Sequence, residues 1–193
     1  MSMIRAFVAV ELPAELQKGI AQASASLQKT LHNAIRWVAP QNIHLTLKFF
    51  GDVSPASLTA LTDTLTTEAS HQPAFEMSIS GLGVFPTPKR PRVLWIGVQA
   101  PPELAHLQHA IEISSARLGY PNEENKPFSP HLTIGRAREG ADLAEIYQAL
   151  DNFQIGHIGT VQVNNIHLYR SDLRPQGPIY TQLASIALAQ ETP

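Results

Sequence analysis

Apolar positions along this chain switch between a period near two and a period near 3.6, and the switches mark out its elements. Residues 4–11 hold a nearly continuous apolar run, Phe7-Val8-Ala9-Val10, which predicts a buried strand. Leu12-Pro13-Ala14-Glu15 then sets proline in a first turn with an acid behind it, a helix start. Leu16, Ile20, Ala23, Leu27 and Leu31 recur at helical spacing to about residue 33. A strand from Asn42 to Phe50 ends at Gly51-Asp52, and a second helix begins near Ser54-Pro55 with Leu58, Leu61 and Leu65 on one face. Residues 75–85 alternate as a strand, and Pro86-Thr87-Pro88-Lys89-Arg90-Pro91 breaks the pattern.

Beyond that break the order repeats. Residues 93–98 read as a strand, and Pro101-Pro102-Glu103 opens a helix carrying Leu104, Leu107, Ile111 and Leu118. A strand through residues 130–135, a short helix at about 142–150 and a strand at about 158–169 follow. The chain therefore reads as one bilobal domain over residues 1–193, with internal repeats at about 4–88 and 91–171 and a closing strand at about 179–188. That period is too long for a solenoid. A doubly wound parallel sheet competes, but no Gly-x-Gly-x-x-Gly turn follows the first strand, and Gly81-Leu82-Gly83 lies inside a strand-like run. The expected fold is α+β, with two pseudo-symmetric lobes, each an antiparallel sheet with helices, whose facing sheets form a central cleft.

The repeats share one chemical feature. His44-Leu45-Thr46 recurs as His131-Leu132-Thr133, 87 positions later. On a strand, side chains two apart share a face, so His44 projects with Thr46 and His131 with Thr133, while the leucines point into a core. Two imidazoles on opposite sides of one phosphate suit in-line displacement, one deprotonating a water and the other protonating the departing oxygen. The threonine hydroxyls can donate to the non-bridging oxygens, so no metal or other cofactor is called for.

Composition narrows the field further. The net charge of -2 argues against coating a nucleic-acid duplex, which needs an extended basic surface, but allows a grip on one phosphate. With no cysteine, disulfides, thiolate zinc sites and cysteine nucleophiles are excluded. No apolar run approaches the roughly 20 residues of a membrane span, and no signal-peptide pattern opens the chain, so a cytoplasmic protein away from the membrane is expected.

Arg5-Ala6-Phe7-Val8-Ala9-Val10-Glu11-Leu12-Pro13, Trp37-Val38-Ala39-Pro40, the two His-Leu-Thr strands and Leu168-Tyr169-Arg170-Ser171 stand in an order that resembles the 2H phosphoesterases. The match is nearest to the RNA 2′,3′-cyclic phosphodiesterases, also called 2′-5′ RNA ligase-like, over residues 4–188. The resemblance implies a LigT-like bilobal fold that opens ribose 2′,3′-cyclic phosphates without metal, leaving a 2′-phosphomonoester, with 2′-5′ ligation as the reverse. It also implies that His44 is the proton donor to the 3′-oxygen and His131 the proton acceptor. The implied partner is RNA with a 2′,3′-cyclic phosphate end, tRNA fragments among them, and the expected state is a monomer. Gly135 stands where a small apolar residue is commoner, and Gln41 where an acid is common.

Other residues weigh less. Strand parity places Lys48 with His44 and Thr46, so it is expected to line the cleft and bind substrate. Arg136 is the arginine that the resemblance implies for phosphate or substrate binding. Strict alternation turns it away from His131, and a bulge at Gly135 would re-aim it. Arg170, Arg174, Lys89, Arg90 and Arg92 are read as solvated, with an RNA rim as the alternative. Phe49, Phe85 and Tyr169 are read as core, with base stacking as the alternative. His106 and His109, three apart on a helix, lack a third metal ligand, and His32, His71, His157 and His167 have no chemical companions. Two other readings remain open: the same chemistry on a small nucleotide such as ADP-ribose 1″,2″-cyclic phosphate or a 2′,5′-oligoadenylate, and a non-catalytic RNA-end binder.

Overall fold

A computed structural model describes residues 2–122, 127–151, 153–175 and 177–189. Its strands are β1 (Ile4–Glu11), β2 (Ile35–Trp37), β3 (His44–Val53), β4 (Phe75–Thr87), β5 (Arg90–Gln99), β6 (His131–Ala137), β7 (His157–Val163), β8 (Asn165–Asp172) and β9 (Ile179–Ala187). Its helices are α1 (Ala14–Thr30), α2 (Leu58–Ser70), α3 (Pro102–Arg117) and α4 (Leu143–Asp151). The amphipathic stripes end up buried: Leu16, Ile20 and Leu27 on α1, Leu61 and Leu65 on α2, Leu104, Leu107 and Ile111 on α3. Between Ile20 and Leu27, buried Ser24 keeps its hydroxyl satisfied by donating to the Ile20 carbonyl at 2.8 Å.

The strands form one antiparallel sheet in the order β7-β4-β5-β6-β3-β1-β8-β9, with β2 paired to β6. Instead of two separate facing sheets, the lobes are two halves of this sheet. They join where β3 meets β6, through the register pair Leu45 and Leu132. Each half lists, from the seam outward, a His-Leu-Thr strand, the strand that opens the same repeat, and a strand that closes the other repeat. Thus β4 leaves β1 and β3 to pair with β5 and β7, and β8 leaves β5 and β6 to pair with β1. The helices cross over too. Helices α1 and α4 cover the β5 and β7 half, while α2 and α3 pack together over β3 and β9.

Three further differences from the sequence reading have local causes. The proline-rich break is a tight hairpin in which Thr87 pairs with Arg90, so both strands run into it. The long strand expected at 158–169 is two strands at opposite ends of the sheet, because the chain turns at Asn164. Strand β2 is three residues long and carries no periodic signal.

Candidate active site

The seam positions the chemistry. Around the pair Leu45 and Leu132, antiparallel register sets His44 beside Thr133 and Thr46 beside His131, all on the face away from the two buried leucines. Each histidine thus neighbours the threonine of the other motif. The two imidazoles are tethered identically. His44 Nδ1 lies 2.7 Å from the carbonyl of Asn42, and His131 Nδ1 lies 2.7 Å from the carbonyl of Ser129. A carbonyl can only accept, so each Nδ1 carries a proton and each Nε2 is left for the cleft. Among the described residues neither threonine hydroxyl bonds to another protein group. Both half-buried hydroxyls are free to serve a ligand.

A bulge follows the threonine in both strands. Val8 pairs with Lys48 and Ala9 with Thr46, leaving Leu47 as the extra residue. Likewise Leu94 pairs with Gly135 and Trp95 with Thr133, leaving Ile134 extra. A bulge inverts the parity of everything beyond it. Arg136 is therefore turned onto the face of His131 and Thr133, where its charge reaches the Tyr180 phenol. The same inversion corrects the placement of Lys48. It points away from the cleft, is 6% exposed, and its Nζ bonds Glu112 of α3 in an ion pair beneath the sheet. The residue that reaches the cleft side instead is Phe49, which is 60% exposed with its ring 5.5 Å from Phe7.

Gly135 occupies the place Lys48 takes in the first motif, and its surroundings account for it. A Cβ there would stand 2.6 Å from Ile35 Cγ2 and 3.2 Å from the Trp37 ring, so β2 can lie on β6 only over a bare backbone.

Aromatic rings hold both histidines, unequally. His44 stacks on Phe7 (centroids 4.9 Å apart, 28° between planes) and takes the edge of Tyr180 (5.2 Å, 87°). His131 meets Phe85 edge-on (4.9 Å, 82°) and has Trp95 further off at 6.2 Å. Burial in its cage lowers the pKa of His44, against the smaller opposing pull of the Asn42 carbonyl. Tyr180 is half-buried, which raises its phenol, while Arg136 and Arg5 pull it back down. Tyr169 stacks on Phe7 at 5.3 Å, and burial together with Glu11 beside it pushes its phenol up to about 12.

The sequence pattern marks Phe7 only as part of an apolar strand and Tyr180 only as part of the closing strand, and neither as a neighbour of His44. Asn42 supplies a link between them and the motif: its carbonyl orients His44 while its side-chain amide donates to the Pro178 carbonyl, beside the start of β9. Phe49, Phe85 and Tyr169 lie outside the main core cluster and beside the cleft, contrary to their reading as core. His167 does have companions, with Glu11, Tyr169 and Gln182 around it. Arg170 pairs with Asp172, and Lys89, Arg90, Arg92 and Arg174 are exposed. His106 and His109 face solvent, and among the described residues no three His, Asp or Glu side chains converge as a metal site. No described helix is long and apolar enough to cross a membrane.

Residues 12–175 match the family model of the 2′-5′ RNA ligase superfamily. The chain belongs to that superfamily. It is 34% identical over 183 residues to an RNA 2′,3′-cyclic phosphodiesterase of Methanothermobacter thermautotrophicus, covering 93% of this chain and 96% of the relative. It is 35% identical over 184 residues to one of Aquifex aeolicus, covering 94% and 95%. Among solved structures, LigT of E. coli complexed with 3′-AMP superposes with a TM-score of 0.78 at 31% identity, over 97% of this chain and 99% of that one. Family membership and fold agree with the α+β architecture of the paired His-Leu-Thr seam.

Proposed function

We propose that this protein hydrolyses the 2′,3′-cyclic phosphate at an RNA end to a 2′-phosphomonoester, with His44 and His131 as general acid and base. The observation that carries the reading is the seam itself, which presents two free Nε2 atoms and two unengaged hydroxyls on one face. His131 Nε2 takes a proton from water as the water oxygen bonds to phosphorus. The bond from phosphorus to the 3′-oxygen breaks on the opposite side, and His44 returns a proton to that oxygen. Thr46 and Thr133 donate to the non-bridging oxygens, and Arg136 supplies the compensating cation. Acid, base and charge all come from side chains, so turnover is expected to persist in chelator. With a 5′-hydroxyl RNA end in place of water, the same proton transfers break the bond from phosphorus to the 3′-oxygen and leave a 2′-5′ linkage.

Burial sets a condition on the donor. His44 gives up its proton more readily than an exposed histidine, which makes its charged form a strong acid but a scarce one. A phosphate anion seated beside it favours the charged form and offsets that scarcity. The exchange-symmetric strand order supports an internal duplication over residues 4–88 and 91–171 in one domain, with each repeat lending one histidine and one threonine.

The test is incubation with an RNA oligonucleotide ending in a 2′,3′-cyclic phosphate, in excess chelator, with 2′- and 3′-phosphate products separated. A 2′-phosphate made by the parent but not by His44→Ala or His131→Ala is the expected result. A 3′-phosphate, or turnover that chelator abolishes, contradicts the mechanism. Turnover confined to small cyclic nucleotides would move the substrate class, and binding without turnover at any pH would leave only recognition of RNA ends.

A further inference from the structure

Strand β2 is too short to add much to the sheet, yet it places one charge with care. In its antiparallel pairing with β6, Arg36 is the Cα partner of Arg136. Cross-strand partners share a face, with Cβ atoms about 4.5–5.5 Å apart. The flanking residues settle which face: Ile35 is fully buried and reaches over Gly135 from the core side, together with Trp37. Arg36 consequently lies on the opposite face, with Arg136 and the cleft.

Both arginines are exposed, and among the described residues neither guanidinium has a hydrogen-bond or ion-pair partner in the protein. Among the described residues three cations pair with acids, Lys18 with Glu15, Lys48 with Glu112 and Arg170 with Asp172, and most of the others stand singly in solvent, whereas Arg36 and Arg136 face each other. Like charges directly opposite on a sheet destabilise it. The chain has 16 acids for its 14 Lys and Arg, so the bare pair does not come from a shortage of carboxylates. An anion between two guanidinium forks converts the repulsion into bidentate hydrogen bonds, the geometry that phosphate favours.

Position identifies which phosphate. Along β6 the Arg136 rung lies two register steps beyond Thr133, on the His44 side, which is about 7 Å at strand spacing. The middle of the seam, at Leu45 and Leu132, is one step further, so the rung lies about 10 Å from it, a span that one internucleotide step and the reach of the arginine side chains together bridge. A cyclic phosphate ends its strand at the 3′ side, so the neighbouring phosphodiester lies on the 5′ side of the terminal nucleoside.

We infer that Arg36 and Arg136 clamp the phosphodiester immediately 5′ of the cyclic phosphate, making the substrate an oligoribonucleotide rather than a mononucleotide. This rests on the cyclic phosphodiesterase reading above and deepens it. Arg136 then serves both phosphates, and Arg36 serves the second.

The test compares kcat/KM on a nucleoside 2′,3′-cyclic monophosphate and on a dinucleotide ending in the same group, over a range of salt. The parent is expected to prefer the dinucleotide by about tenfold or more, through KM, as one charge-assisted contact provides. Arg36→Ala shrinks that preference towards unity and lowers the salt slope on the dinucleotide by about one. Arg36→Lys keeps the salt slope and restores part of the preference. Arg117→Ala, on the exposed end of α3, leaves the preference as it was. The free Arg36→Ala protein melts no lower than the parent, because a repulsion has been removed. Equal loss on both substrates, or a preference that survives Arg36→Ala, overturns the clamp. Turnover of both substrates by the parent without preference overturns the clamp alone. No turnover of either overturns the reaction and the clamp together.

Discussion

The surroundings of His44 and His131 start from the same three residues and diverge immediately beyond them. Both imidazoles are tethered through Nδ1 at 2.7 Å, and both strands bulge after the threonine. On the His44 strand the bulge buries Lys48 against Glu112 and brings an aromatic ring, Phe49, to the cleft. On the His131 strand it leaves bare backbone at Gly135, on which β2 rests, and brings a cation, Arg136. The backbone symmetry therefore fixes the two imidazoles and the two hydroxyls, while the residues at the bulge make their surroundings unequal. One strand contributes a cation to the cleft and the other an exposed aromatic ring.

The largest effect should come from breaking what the two sides share. On the proposed mechanism His44→Ala and His131→Ala each remove a proton transfer worth about 10² to 10⁴ in rate, and losses in kcat of that size are expected in proteins that still fold, as circular dichroism checks. Removing the cation from the His131 side comes next. Arg136→Ala should cost about 10- to 100-fold in kcat/KM, from the loss of a charged hydrogen bond of about 1.5–3 kcal/mol. Arg136→Lys should restore only part of that activity, since the fork is lost.

Two stability measurements separate the bulges. Lys48→Met leaves the Glu112 carboxylate without its partner and should cost about 2 kcal/mol in denaturant unfolding, less than a fully buried pair because Glu112 retains some exposure. Pairing it with Glu112→Gln should recover much of that loss. Gly135→Ala forces Ile35 and Trp37 aside and should cost about 1–3 kcal/mol, with a larger fall in activity than Lys48→Met because Arg136 is displaced.

The smallest effect concerns titration. Tyr180→Ala opens the cage of His44, so its pKa should rise towards the ordinary histidine value, read by NMR of the imidazole. In stability the sign runs the other way from a salt-bridged histidine. The pKa of His44 is depressed by folding, so its contribution is complete above the unfolded value and lost as pH falls through the folded one. Acid destabilisation below about pH 6.5 should therefore be shallower in Tyr180→Ala than in the parent.

Much of this was legible in the sequence, and the rest was hidden for physical reasons. The helical stripes and the His-Leu-Thr strands declare themselves, because burial demands their period. Parity failed at Lys48 because nothing at Leu47 or Lys48 announces a bulge, whereas Gly135 gives notice of the matching one. Strand β2 escaped because three residues, Ile35-Arg36-Trp37, are too few for a period. The turn at Asn164 shows in the sequence only as a one-residue slip in the alternation, from Val161 and Val163 to Ile166 and Leu168, which a bulge inside one strand would equally produce. Strand order lay beyond any local pattern. Tyr180 was within reach as an aromatic, but its contact with His44 spans 136 positions and depends on that order.

The exchange of β4 and β8 between the halves bears on how the molecule is made. As the chain leaves the ribosome, β4 emerges before either of its neighbours, and β1 waits for β8 until nearly all of the protein is out. Neither repeat can complete a half-sheet by itself. A chain severed at the Pro88-Lys89 turn should yield two pieces that are insoluble apart and fold when synthesised together. Such long-range pairing slows folding and leaves edges exposed in the interval. The intermingling that brings the two histidines together thus makes the protein nearly all-or-none in its biogenesis.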